Sequence, residues 1–275
     1  MRNLSLYVFV ALSQAIVLVL KQMNISVGAI GGLAVIATGY SFQVLRLPIL
    51  IVVIIALAVG LIAGAINGLI IVKSNINSFI ITLSTLFVFT GMTLGITKGV
   101  PFVGIPESFK IVGQGSFFGI PIIFLFLIGV LIIFYILFKY TIFGRRFLAT
   151  GENIKAARLS GVNVNSIIIA GQMISGLIAA LSGMLYVSRI GSAQPTTGQE
   201  WLIFSFAIAI IGGTSLSGGS ISILGILIGG LVITVINNLL ILLRVDVYFL
   251  QTFFGLFILL AIFIDRGRSG YSKEI

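Results

Sequence analysis

The chain has no cysteine, no histidine and only six acidic residues among 275. Without cysteine there are no disulfides, no thiol nucleophile and no iron–sulfur ligands. Without histidine the commonest general base and transition-metal ligand is missing. The six acids form no pair inside an apolar run, and no G-x-x-x-x-G-K-[ST] phosphate loop occurs. An embedded enzyme and self-contained ATP hydrolysis are therefore not expected. Charged residues make up 8% of the chain, against about a quarter in soluble domains. That is too few to coat a globule. With 59% hydrophobic residues and a mean hydropathy of +1.27, the solvent must be lipid.

What is present is a series of apolar runs separated by polar punctuation. They fall at about 5–20, 25–41, 49–72, 78–97, 119–138, 166–188, 201–213, 221–241 and 247–264. The expected fold class is an all-α, polytopic transmembrane helical bundle forming one domain over 1–275. The seventh run is too short for a full crossing and reads as a broken or partial helix. Arg2 precedes an apolar run, but Leu18-Val19-Leu20-Lys21 lacks a small-residue cleavage pattern, so the first run reads as a retained span.

The net charge is +10, yet the basic residues are scattered between runs rather than gathered on one soluble face. Nucleic acid is thus not an expected partner, and the charges set orientation instead. The largest basic loop, 139–165, carries Lys139, Arg145, Arg146, Lys155 and Arg158 against Glu152. Placing it in the cytoplasm with the tail bearing Arg266, Arg268 and Lys273, and with Lys21 and Lys73, puts ten basic residues inside and six outside. Counting each run as one crossing, the chain starts outside.

An internal repeat accompanies this pattern. At a constant offset of 170, segment 66–88 matches 236–258 at Ile66/Ile236, Asn67/Asn237, Leu69/Leu239, Ile71/Ile241, Phe79/Phe249, Thr82/Thr252, Leu86/Leu256 and Phe87/Phe257. The Asn and Thr pairs weigh most, because polar residues inside spans are few. The two copies run in opposite directions, as in transporters with inverted repeats. Asn67, Thr82, Gln172 and Asn237 are candidates for hydrogen-bonding a solute, or for joining neighbouring helices. The glycine-rich stretch Gly212-Gly213-Thr214-Ser215 is a candidate chain break lining the path, or a tight turn.

In the basic loop, residues 144–163 read GRRFLATGENIKAARLSGVN. Thr150 is placed to cap a short helix with Glu152 in its first turn and Gly161 as its stop. Ala156 and Ala157 would present a small packing surface flanked by Lys155 and Arg158. Such a helix suits docking to a soluble partner, or lying on the membrane surface.

Residues 156–163, AARLSGVN, resemble the cytoplasmic loop of the ribose-type branch of sugar ABC importer permeases. Asn24-Ile25-Ser26-Val27-Gly28 is similar to that family's D-L-S-V-G. Asn67-Gly68 and Phe79-Ile80-Ile81-Thr82-Leu83 are similar to its N-G and F-I-V-T-L. Gly191 to Pro195 and Gly212 to Gly219 are similar to its G-S-A-Q-P and G-G-T-S-L-x-G-G, and the likeness runs from about residue 12 to Asp265. The resemblance implies a permease subunit with a cytoplasmic ABC ATPase docked on Gly151, Glu152, Ala156, Ala157, Arg158, Leu159, Ser160 and Gly161. It implies an extracytoplasmic sugar-binding protein, a second permease copy or paralogue, and no cofactor on this chain, with ATP and magnesium held by the ATPase. The alternative is a self-sufficient channel or facilitator.

The sequence departs from that pattern at Asn24 (usually Asp), at Lys21-Gln22 (usually small or polar), at Ser78 (often Pro) and at Gly151-Glu152-Asn153 (usually G-N-E). The family also has a span ahead of the first run. A short subunit, a displaced start or a degraded paralogue would each give this; a genuine short subunit is expected.

Overall fold

The computed structural model describes residues 1–243 and positions 249, 252, 253, 255 and 256. Apart from those few positions, the expected ninth run, 247–264, and the basic tail lie outside the described residues. Helix dominates: α1 Arg2–Leu18, α2 Val27–Gln43, α3 Ile49–Ser74, α4 Ser78–Thr97, α5 Glu107–Gln114, α6 Ile122–Tyr140, α7 Ile142–Glu152, α8 Ile154–Leu159, α9 Val164–Ile190, α10 Trp201–Ile211 and α11 Ile223–Leu242. A two-residue turn at Phe118-Gly119 joins the small strands β1 Ser116–Phe117 and β2 Ile120–Pro121.

Six of these helices are long and apolar enough to cross a membrane. α1 and α9 are mostly buried and form the centre. α3, α4, α6 and α11 keep broad apolar faces exposed, such as Leu50, Ile54, Phe87, Ile133 and Ile228. In water such faces would be costly; in hydrocarbon they are matched.

Close helix contact at the centre rests on small residues. Along α3, Gly60 faces Ala180 and Gly176, Gly64 faces Gln172, and Gly68 faces Ile169 of antiparallel α9. A methyl group at any of the three would meet backbone or a Cβ of α9, so glycine at four-residue spacing lets the two helices touch.

These contacts also order the bundle by depth. α9 rises from an end carrying α7, α8, Lys21 and Gly219 to an end carrying α5 and the hairpin. α1 runs the other way: Arg2 donates to the Gln114 carbonyl at the hairpin end, and Val19 meets Gly151 at the α8 end. α2 runs toward the hairpin end, where Gln43 Oε1 accepts from Val103 and Gly104, and α3 returns. α11 leaves the α8 end beside α6 and carries Asn237 to Tyr7.

The structure extends the repeat beyond the segment legible in sequence. α1 and α9, α2 and α10, and α3 and α11 correspond at offset 170 and run in opposite directions. Their packing is mirrored: α2 lies on α9 as α10 lies on α1, and α3 on α9 as α11 on α1. Gly230 faces α1 at Val8, and its mate Gly60 faces α9 at Ala180.

Two crossings are broken. α10 has 11 residues and covers about 16 Å, roughly half of the hydrocarbon core. It is preceded by non-helical 191–200, which joins it to α9. Its mate α2 is likewise preceded by non-helical 19–26. The two breaks meet at Gly28 and Gly198, which are repeat mates: a Cβ on either would strike the other's carbonyl oxygen. Gly198 also has φ +96, a left-handed value that favours glycine.

Gly28→Val should therefore force the halves apart and lower the melting temperature of purified protein, as overpacking costs about 1–3 kcal/mol or more. Gly91→Val on α4, where nothing lies within 4 Å, should leave it nearly unchanged. Equal melting temperatures for both variants in a detergent thermal-shift assay would contradict the crossing.

Candidate functional site

The basic loop folds as two helices rather than one. Thr150 does not cap a helix; it lies inside α7, fully buried, with its Oγ1 donating to the Arg146 carbonyl at 2.7 Å. The cap is Asn153, whose Oδ1 accepts from the N–H groups of Lys155 and Ala156 at 3.0 and 3.1 Å. Glu152 therefore ends α7 instead of opening α8. Gly161 does stop the helix: it has φ +79, and the Val162 N–H reaches back to Ala157 O.

Gly151 serves packing, not an outer surface. Its Cβ position is occupied by the Val19 carbonyl, and the Gly219 N–H donates to the same Val19 oxygen at 2.9 Å. Lys21 Nζ donates to the Glu152 carbonyl at 2.9 Å. The turns at 19–21, 151–152 and 218–219 are thus locked together, and α8 stands on that base.

Ala157 points inward. It is 4% exposed and packs with Ile71, Ile81, Val164 and Ile168. The outward face is Lys155, Ala156, Arg158, Leu159 and Ser160, with Leu159 90% exposed at the tip. The expected paired-alanine surface is therefore a single alanine beside a protruding leucine, because the six-residue helix turns its other alanine to the bundle.

The four polar candidates inside spans do not converge. Asn67, fully buried, donates from Nδ2 to Ser26 Oγ at 2.9 Å. Ser26 Oγ donates to Asn24 Oδ1 at 2.7 Å, and Asn24 Nδ2 donates to Ser175 Oγ at 3.1 Å. Thr82 Oγ1 accepts from the Ile25 N–H and donates to Ser78 O. Asn67 and Thr82 thus secure the first break, where backbone groups leave the helix ladder and need partners. Gln172 is fully buried, with neither amide atom hydrogen-bonded. Asn237 donates to the Tyr7 hydroxyl at 3.0 Å on the other side of the bundle.

The glycine-rich stretch 212–219 is a turn at the α8 end, with left-handed Gly213, Gly218 and Gly219. Gly212 packs against Gly225, buried Thr214 has an unpaired Oγ1, and Ser215 Oγ accepts from the Ser217 N–H. Of the two readings given for it, the tight turn holds, and the chain break lies ahead of the seventh run, at 191–200. The sequence marks 21–24 only as punctuation between two runs; that 19–26 enters the bundle as a break was missed, although Lys21, Gln22, Asn24 and Ser26 gather there. Also missed was α5, whose signals are Pro106 followed by Glu107 in a first turn. It is tied to α9 by Ser188 Oγ, which accepts from the Gly113 N–H and donates to Phe109 O. Among the described residues no three Asp or Glu gather into a metal-binding group.

A family profile described as the permease component of branched-chain amino acid transport systems matches residues 1–264. The chain belongs to this ABC permease family. The ribose import permease of Haemophilus influenzae is 36% identical over 97% of this chain and 83% of its own length. That of Bacillus subtilis is 41% identical over 74% of this chain and 64% of its own length. An autoinducer 2 import permease of Photorhabdus luminescens is 34% identical over 95% of this chain and 78% of its own. No solved structure matches. With its apolar helices, the chain is a multi-pass inner-membrane permease of the kind used in sugar ABC import.

Asn24→Leu should strand Ser26 and Ser175 and open the first break, costing about 1–3 kcal/mol. Thermal unfolding in detergent checks this: a clear loss is expected for Asn24→Leu, and an unchanged midpoint would show that the network does not hold the break.

Proposed function

We propose that the chain is the permease subunit of an ATP-driven, binding-protein-dependent importer for a simple sugar or related small polar solute. α8 transmits force from a cytoplasmic ATPase, which binds ATP and magnesium. An extracytoplasmic binding protein delivers solute at the hairpin end, and a second copy or a paralogue completes the path. The chain contributes a coupling surface and a membrane route rather than covalent chemistry.

The observation that carries this reading is the Leu159 tip. A leucine with 90% of its surface exposed, flanked by Arg158 and Lys155, is held on a base locked to α1 by Gly151, Val19 and Gly219. An apolar knob on a rigid stem suits an anchor for a partner's pocket. Stiffness matters as much as shape, since a loose tip could not pass displacement into α1 and α9. The relatives named as ribose and autoinducer 2 import permeases support the class of solute.

Leu159→Asp with Arg158→Glu should abolish co-purification of the ATPase, while the protein still inserts and elutes as before. Both residues are exposed, so the change spares the bundle. Ala157→Asp would bury a charge and is unsuitable. Retained transport by the double variant would instead favour a channel or facilitator needing no ATPase.

A further inference from the structure

A cavity of about 340 Å³ opens where residues 191–200 leave α9 and descend to α10 at the hairpin end. That volume is at the lower end of small-molecule sites, about 300–1,000 Å³. Its wall is chemically mixed: Tyr7, Tyr186 and Trp201 supply rings, while Arg189, Gln194 and Thr196 supply a guanidinium, an amide and a hydroxyl.

The repeat shows what this position is built for. Gln194, Thr196, Asn237 and Ser5 are the offset-170 mates of Asn24, Ser26, Asn67 and Ser175. At the first break those four side chains bond one another and leave no room. At the second the mates are drawn apart. Asn237 bonds Tyr7 and Ser5 donates to Met1 O, while Gln194 and Thr196 remain exposed on the cavity wall. Beside them, Thr197 Oγ1 is shielded and has no hydrogen-bond partner. Two of the four polar groups that close one break are thus presented to open space at the other.

We propose that this cavity binds a small, neutral, polyhydroxylated solute of sugar size within a single subunit. Ring faces accept the C–H face of such a molecule, and the amide, hydroxyl and guanidinium meet its hydroxyls. An apolar guest would leave Gln194 and Thr196 unpaired. An anion would meet Glu200 on the same wall as Arg189. The site rests on the function proposed above only for its choice of probes.

Trp201 is the chain's one tryptophan and lines the cavity, so the site carries its own reporter. The test is titration of the full chain, purified without ATPase in nanodiscs, with D-ribose, D-glucose and sodium phosphate while Trp201 emission is followed. A saturable change with at least one sugar and none with phosphate is expected. Gln194→Leu with Thr196→Val should weaken it at least tenfold. If the double variant elutes as aggregate, near-isosteric Thr196→Val alone should weaken it severalfold. No saturable change with either sugar up to tens of millimolar, a response to phosphate alone, or a response unaffected by these variants would overturn the site. ATPase docking at α8 is read separately by co-purification, so failure here leaves that reading standing.

Discussion

The fold depends on backbone meeting backbone at Gly28 and Gly198. Two crossings that are only part helix approach so closely there that neither can carry a side chain. Each break exposes amides and carbonyls that hydrocarbon cannot satisfy. The two breaks therefore sit against each other and against the buried helices α1 and α9. The inverted repeat suits that arrangement, because two oppositely directed halves present their irregular segments to one shared middle.

Around this crossing the two ends are built differently. At the α8 end the turns are locked: Val19 accepts from Gly219 while pressing on Gly151, and Lys21 holds the Glu152 carbonyl. Residues 21–26, the rest of the first break, then run from that lock into the bundle, where Asn24 meets Ser175 and Ser26 meets Asn67. α8 is thus joined to the centre by a short, continuous chain of contacts. At the hairpin end the second break keeps its mates apart, and polar groups face open volume.

Much of this is legible in the sequence, for reasons tied to residue type. Apolar runs give the spans because lipid demands length. The 11-residue α10 is visible as a run too short to cross. Asn67 and Asn237 betray the repeat because an amide inside a span needs a specific partner. What escapes is tertiary. The run 25–41 looks continuous, and only the packed structure shows that its crossing begins with a non-helical segment. Thr150 is a reasonable cap by sequence; in the structure α7 stays helical through Glu152 and Asn153 takes the cap. Likewise Ala156 and Ala157 are equivalent in sequence until Ile71, Ile81 and Ile168 claim one of them.

Leu159 and the Phe118 hairpin are expected on opposite faces of the membrane. The native chain has no cysteine, so single Leu159→Cys and Phe118→Cys variants give clean labelling sites. Intact cells treated with a membrane-impermeant maleimide should label Phe118→Cys and leave Leu159→Cys unmodified until the membrane is opened. Labelling of Leu159→Cys from outside, or labelling of both from the same face, would contradict this placement.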